Sequence, residues 1–269
     1  MKNFVTTIIV SFKSHNIIEN SIKSIGTKIP IIVIENSKDK NLKKKLEKKY
    51  NNVKVLLNNN NGFGQAANLG VKKAKTKYVL FCSPDTVLKP GALKTFVNVA
   101  KKKVNNFGLL IPSENKRSKK IFLIKEPKGA PIVFVEKKKF LKMKGYDENF
   151  FLYYEDIDFL QRFLEKNEKI FQIPAYFSHK FGSHNKIYNR QIEVNRNWHY
   201  MWSKFYYIKK KDNPLRAFLI TLPSCLRALS KLSFYFLFND NKFLIYKARF
   251  LGLVNSYLNN KSWYRPDIK

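Results

Sequence analysis

Short apolar runs alternating with amphipathic stretches limit this chain to few folds. The runs are Phe4–Ser11, Pro30–Glu35, Val53–Asn58, Tyr78–Cys82 and Phe107–Ile111, and the stretches between them lie at about 15–25, 39–49, 64–75 and 90–102. Strand-length runs separated by helix-length patterns predict βαβ units with right-handed crossovers. The expected class is therefore α/β, a Rossmann-like and mostly parallel sheet flanked by helices. In such a sheet ligands sit at the carboxyl ends of the strands. The loops that follow Val10, Ile34, Leu57 and Phe81 are the ones to search for chemistry.

Past residue 111 the pattern changes. Ile121–Ile124 and Ile132–Val135 are short β-rich runs, and Glu136–Met143 reads as a short helix. Gly145–Tyr154 reads as an aromatic loop, Glu155–Lys166 as a helix and Lys169–Ile173 as a strand. A helix is expected over Trp198–Lys211, followed by two apolar stretches, Pro214–Phe238 and Phe243–Leu258. A soft boundary near 190 separates a domain over 1–190 from a C-terminal helical, amphipathic extension over 191–269. Neither apolar stretch reads as a membrane span, which needs about 20 mostly apolar residues. Ala217–Leu226 is apolar for ten positions before Arg227, Lys231 follows, and Pro223 is expected to interrupt a helix there. Helices lying in a membrane interface, with basic side chains at the headgroups, fit this pattern. The other reading is ordinary helices packed on the first domain.

Charge sharpens the question of partners. Lys and Arg number 52 against 19 Asp and Glu, a formal charge of +33. Nucleic acid, an anionic membrane surface and a plain compositional bias all produce such an excess. Most of the lysines scatter over expected helix faces and turns. Trp198–Lys269 differs, with 13 basic and 3 acidic residues among many aromatic and aliphatic ones. No zinc-type Cys/His cluster occurs, and Cys82 and Cys225 stand too far apart in the chain to suggest a disulfide framework. The opening MKNFVTTIIVSF reads as a first strand and not as a signal peptide, so a reducing, cytoplasmic location is expected.

Three loops carry candidate chemistry. Asn58–Gly70 follows a strand and opens a helix, and Gly62 and Gly64 allow close backbone approach to an anion, or simply make a turn. Ser83-Pro-Asp85 ends a strand, where a carboxylate can hold a divalent cation, form an Asx turn or cap the next helix. Asp147, Glu148, Glu155, Asp156 and Asp158 gather within twelve residues of a chain with only 19 acids. A helix N-terminus attracts such charge, and a general base beside an aromatic loop needs it. Asp156 and Asp158 are two apart, so on a helix they do not share a face.

In this order the loops resemble the glycosyltransferase family 2 nucleotide-sugar transferases, and especially their rhamnosyltransferase-like branch. The likeness runs through about residues 5–185: Ile8-Ile-Val-Ser-Phe12, Val33-Ile-Glu-Asn-Ser37, Asn61–Gly70, Ser83–Asp85, Gly129-Ala130, Gly145–Glu148, Phe151–Asp158 and His179–Ser183. It implies a GT-A fold and metal-dependent, inverting transfer of a sugar such as rhamnose. The implied donor is a nucleotide-sugar and the acceptor a lipid-linked or polysaccharide glycan of the cell envelope. The basic, aromatic tail adds the expectation of a peripheral place on the inner face of the cytoplasmic membrane, against an anionic surface. No RNA-recognition signature or helix-turn-helix spacing appears, so no nucleic-acid partner is expected, and the sequence sets no oligomeric state. Carried over by position, Ser11, Phe12, Glu35, Gly62, Asn68 and Asp85 fall on the donor side, with Glu35 at the nucleotide base or ribose. Tyr154 and Glu155 fall on the acceptor side, Asp156 is the catalytic base, and Asp85 and His179 hold Mg²⁺ or Mn²⁺. Two positions depart from the family's pattern: Ser83 replaces the first carboxylate of the metal-binding triplet, and Lys13 stands where many members carry Asn. A catalytically silent binding protein of the same fold is one alternative, and a basic nucleic-acid-binding protein, against which the acidic 147–158 cluster argues, is the other.

Overall fold

A computed structural model of the chain describes residues 3–102, 106–113, 119–179 and 189–265. The chain forms two compact units, one built from 1–147 with 156–183 and the other from 148–155 with 184–269.

In the first unit β1 (Val5–Ser11), β2 (Ile31–Glu35), β3 (Val53–Leu57) and β4 (Tyr78–Cys82) are parallel, in the order β3-β2-β1-β4. The crossovers are α1 (Ile18–Ile25), α2 (Lys40–Lys49) and α3 (Phe63–Lys73). All five residues of β2 and of β4 are buried, as expected of strands covered on both faces. Beyond β4 come β5 (Thr86–Leu88), α4 (Ala92–Lys101), β6 (Leu109–Pro112), β7 (Phe122–Ile124) and β8 (Ile132–Glu136). Then follow α5 (Lys137–Lys142), α6 (Glu155–Glu165), β9 (Ile170–Ile173) and β10 (Phe177–His179). The main sheet has eight strands in the order β3-β2-β1-β4-β8-β6-β9-β7. β8 runs antiparallel to both β4 and β6, β9 is parallel to β6, and β7 is antiparallel to β9.

Helices cover the sheet on both faces. One face carries α1, α2 and α4, whose Ile18, Ile22, Leu42, Leu46 and Phe96 pack on Val33, Leu80 and Phe134. The spacings 18/22 and 42/46 are one helical turn, which puts each pair on one stripe. The other face carries α3, α5 and α6, through Ala67, Val71, Phe140, Phe159 and Phe163. Asp39 begins α2 by accepting a hydrogen bond from the Leu42 N–H at 2.8 Å.

β5 and β10 carry no pattern in the sequence. They pair antiparallel as a separate two-stranded sheet, with His179 opposite Thr86.

The second unit holds α7 (Asn189–Lys211), α8 (Pro214–Phe238) and α9 (Asp240–Tyr257). α7 and α9 approach so closely that a Cβ on Gly252 would lie 2.3 Å from the Trp198 carbonyl oxygen. Trp198 is fully buried there, and the Ser256 hydroxyl donates to the Trp202 carbonyl at 3.0 Å. The expectation that Pro223 breaks the helix is corrected: α8 runs through it. Ala217 and Thr221 before the proline, and Cys225 and Ala228 after it, are buried on one stripe. Packing along that stripe holds the helix on both sides of the missing N–H, against a propensity cost of about 3 kcal/mol.

Candidate active site

The candidate site is assembled at the carboxyl ends of β1, β2 and β4. Ser11 and Glu35 are direct partners in the β1–β2 ladder, and both are fully buried. Glu35 Oε1 accepts the Ser37 N–H at 2.8 Å and also the Ser37 hydroxyl. Its Oε2 is buried without a hydrogen-bond partner among the described residues, and so is Ser11 Oγ. Such atoms carry a desolvation penalty of about 1–3 kcal/mol each until a donor arrives. Phe12, which follows, is half-buried, and its carbonyl accepts the Ser14 hydroxyl at 3.1 Å. Lys13 takes a left-handed backbone, φ 49°. An asparagine tolerates that conformation better than a lysine does, which gives the departure at this position a backbone meaning.

Asp85 sits on a turn built around the Ser83 carbonyl, which accepts from the Thr86 N–H at 3.2 Å and the Thr86 hydroxyl at 2.7 Å. The pairing of β10 with β5 then brings His179 Nε2 to 3.0 Å from Asp85 Oδ2. These two residues are 94 positions apart in sequence, and two three-residue strands join them. The rest of that motif, 180–183, lies outside the described residues.

Gly62 precedes α3 with φ 110°, a conformation open to glycine, and no side chain caps the helix. Asn58 donates to both Asn36 Oδ1 and Gln65 Oε1 at 2.9 Å, tying the ends of this loop together. Asn68 points to the framework of the site. Its amide donates to the Tyr146 carbonyl and accepts the Tyr146 N–H, both at 2.9 Å. The turn it holds requires Gly145, where φ is 65° and a Cβ would lie 2.4 Å from Asn68 Oδ1.

At the start of α6 the carboxylates divide by face. Asp156 Oδ2 accepts the Ala130 N–H at 2.8 Å, and Oδ1 accepts the Ile157 N–H at 2.8 Å. Burial pushes the Asp156 carboxyl above the ordinary carboxylate range, against these two N–H groups, which favour the charge. Asp158 turns away to Arg162, whose Nε donates to it at 2.8 Å. The same guanidinium donates to the Met143 carbonyl at 2.5 Å and the Gly145 carbonyl at 2.7 Å. Arg162 was not singled out by the sequence reading. Its signal was the i,i+4 spacing to Asp158.

Strand register places Asp156 at the same sheet edge as Asp85. Ile132 of β8 pairs with Cys82 of β4, so Gly129-Ala130 and Ser83–Asp85 leave the sheet side by side. Asp156 is bonded to the first of these segments, and Asp85 belongs to the second. Tyr154 and Glu155 belong to the second unit. Glu155, the first residue of α6, is buried. Tyr153 and Tyr154 both have left-handed backbones, φ 68° and 67°. Tyr154 packs against Tyr200 and Tyr207, and Arg196 Nε donates to the Tyr153 hydroxyl at 2.5 Å.

Residues 6–187 match the sequence model of Glycosyl transferase family 2. The chain belongs to glycosyl transferase family 2. Among curated relatives of this family 2 enzyme is the Rhamnosyltransferase WbbL of Escherichia coli (strain K12). The two are 24% identical over 221 residues, covering 67% of this chain and 82% of that one. Among solved structures, the crystal structure of S. aureus TarS 1-349 superposes with a TM-score of 0.54 at 15% identity. That match covers 99% of this chain and 94% of the other. A second S. aureus TarS structure gives a TM-score of 0.53 at 14% identity, over 94% of this chain and 55% of that one. The fold is thus GT-A-like, a mostly parallel eight-stranded sheet flanked by helices. The protein is a rhamnosyltransferase-like family 2 glycosyltransferase, and membership implies a nucleotide-sugar donor and a glycan acceptor.

Proposed function

We propose that the protein transfers rhamnose, with inversion, from a nucleoside diphosphate sugar to a lipid-linked or polysaccharide acceptor of the cell envelope. The transfer takes place at the inner face of the cytoplasmic membrane. The observation that carries the reading is the β4–β8 register, which sets the Asp156-bound Ala130 beside the turn bearing Asp85.

In this mechanism Glu35 Oε2 and Ser11 Oγ, buried and without partners among the described residues, accept from and donate to the nucleoside. Asp156 takes the proton of the acceptor hydroxyl. The freed oxygen pair forms a bond to the anomeric carbon as the bond to the diphosphate breaks, and the nucleoside diphosphate leaves with that electron pair. Attack from the face opposite the leaving group inverts the configuration. A desolvated carboxylate with a raised pKa is a stronger base than one in water, which suits this role.

Asp85 and His179 offer one oxygen and one nitrogen. No group of three or more His, Cys, Asp or Glu gathers among the described residues. Two protein ligands fit Mg²⁺ or Mn²⁺, which take one or two protein groups together with substrate phosphates and water. When bound, the ion would offset the charge of the departing diphosphate.

A thermal-shift screen of nucleotide-sugars with Mn²⁺ tests the donor assignment. A nucleoside diphosphate rhamnose should raise Tm by several degrees, and Asp85→Asn should remove the Mn²⁺-dependent part. A shift given only by a different sugar nucleotide would overturn the choice of rhamnose.

A further inference from the structure

One helix of the second unit, α8, is built inside out. α8 packs through a stripe of small residues, Ala217, Thr221, Cys225 and Ala228, while its large apolar side chains point outward. Leu219, Leu226 and Phe234 are exposed, and at the helix end Phe236, Leu237 and Phe238 are 66%, 76% and 68% exposed. In water the large side chains go inside and the small ones stay neutral. Small residues at helix contacts with large ones outward is the arrangement of helices solvated by lipid.

The occupant of this surface can be argued further. Phe236, Leu237, Phe234 and Phe238 spread over about 200° of the helix circumference, and the remaining sector holds Tyr235, which stacks on Tyr246 of α9. A groove takes up a single narrow stripe, whereas a fluid apolar medium meets the whole of so broad an arc. Charge points the same way. Between Pro214 and Arg265 there are eight Lys or Arg residues and one acid, Asp240. Two copies meeting here would bring like charges together, but anionic headgroups complement them. Beside the tip, Tyr235 stacks on Tyr246 at 5.5 Å, with Lys242 and Lys231 over their rings at 5.0 and 5.1 Å. Tyrosine with lysine is the chemistry of the headgroup level.

α8 is long and apolar enough to cross a membrane by length and composition, with 22% of its most apolar stretch buried. Arg227 and Lys231 stand in its second half, however, and charges at the centre of a bilayer are unfavourable.

We propose that the α8–α9 hairpin seats in one leaflet of an anionic membrane, with Phe234–Phe238 as the inserted tip and Arg227, Lys231 and Lys242 at the headgroups. This deepens the membrane reading above by naming the surface that docks. Its test needs no sugar donor, so it stands or falls apart from the chemistry.

The experiment is co-sedimentation of the full chain with phosphatidylcholine vesicles, with and without 30% phosphatidylglycerol. Binding should be at least tenfold tighter with the anionic lipid. Phe236→Ser/Leu237→Ser/Phe238→Ser should lower it tenfold or more without changing the circular dichroism, since these largely exposed side chains lie outside the buried clusters of the unit and the ring contact they make with α9 is Phe236 on Phe243. Phe122→Ser/Leu123→Ser, an equally apolar exposed pair on the first unit, should leave it unchanged. Arg227→Glu/Lys231→Glu should remove the preference for anionic lipid while leaving helix content intact. Equal binding by the triple-serine variant would overturn the proposal. So would a failure to bind vesicles, including the case in which sedimentation velocity shows self-association that this variant abolishes.

Discussion

Arg162 shows how one side chain organises the acidic segment. Its guanidinium joins Asp158 to the carbonyls of Met143 and Gly145, so α6 and the turn before the aromatic loop move as one piece. Asn68 holds the same turn from α3. Arg162→Ala would remove all three bonds and strip the buried Asp158 of its guanidinium, a loss of about 3–5 kcal/mol. Thermal denaturation should show a clear fall in Tm, and Arg162→Lys should restore only part of it, because an ammonium cannot reproduce the planar fork. Asp156, on the other face of the helix, stays outside this network, as the base proposed above requires. Asp158 is held by Arg162, whereas the Asp156 bonds among the described residues come from backbone N–H groups.

Elements differ in how openly the sequence announced them. The parallel half of the sheet was legible because β2 and β4 are nearly uninterrupted apolar runs and β1 carries Ile8-Ile-Val10, with helices of one-turn apolar spacing between them. β5 and β10 were not, since three residues contain no period, and yet they are what carries His179 to Asp85. Asp156 was legible as part of an acidic cluster. Its bond to Ala130 was hidden, because it depends on β8 running antiparallel beside β4. α8 was misread at Pro223, where tertiary packing outweighs local propensity. Within the second unit His199 ties α7 to the residues after α9. Its Nε2 lies 2.9 Å from the Tyr264 carbonyl oxygen and its Nδ1 2.9 Å from Ser262 Oγ. Burial lowers its pKa from 6.5 to about 3, so the folded imidazole is neutral. The unfolded histidine takes a proton near 6.5 and the folded one does not until near 3. Stability is therefore complete above the unfolded value and falls below it, by about 1.4 kcal/mol per pH unit. Urea denaturation of the protein between pH 7 and 5 should show this loss, and His199→Asn, though less stable at pH 7, should flatten the slope.

At the scale of the whole molecule, the charge of +33 divides into surfaces of different composition. The first unit spreads its lysines over helix faces and keeps acids such as Glu35, Asp85 and Asp156 at the sheet edge. The second places basic residues among exposed aromatic and aliphatic ones. Under the proposals above, the basic surface of the first unit would raise the local concentration of anionic donor and that of the second would draw the enzyme to anionic lipid. The proposed transfer places its base at that edge, on Asp156. The decisive measurement is the pH dependence of kcat/KM for sugar transfer in the wild type and in Asp156→Asn, with donor affinity followed by calorimetry. The wild type should lose activity on the acid side with an apparent pKa above the ordinary carboxylate range, in line with the raised pKa of Asp156. Asp156→Asn should bind donor normally and transfer sugar about 10²–10⁴-fold more slowly, with no acid limb. A variant that keeps both its turnover and the wild-type pH profile would contradict the account.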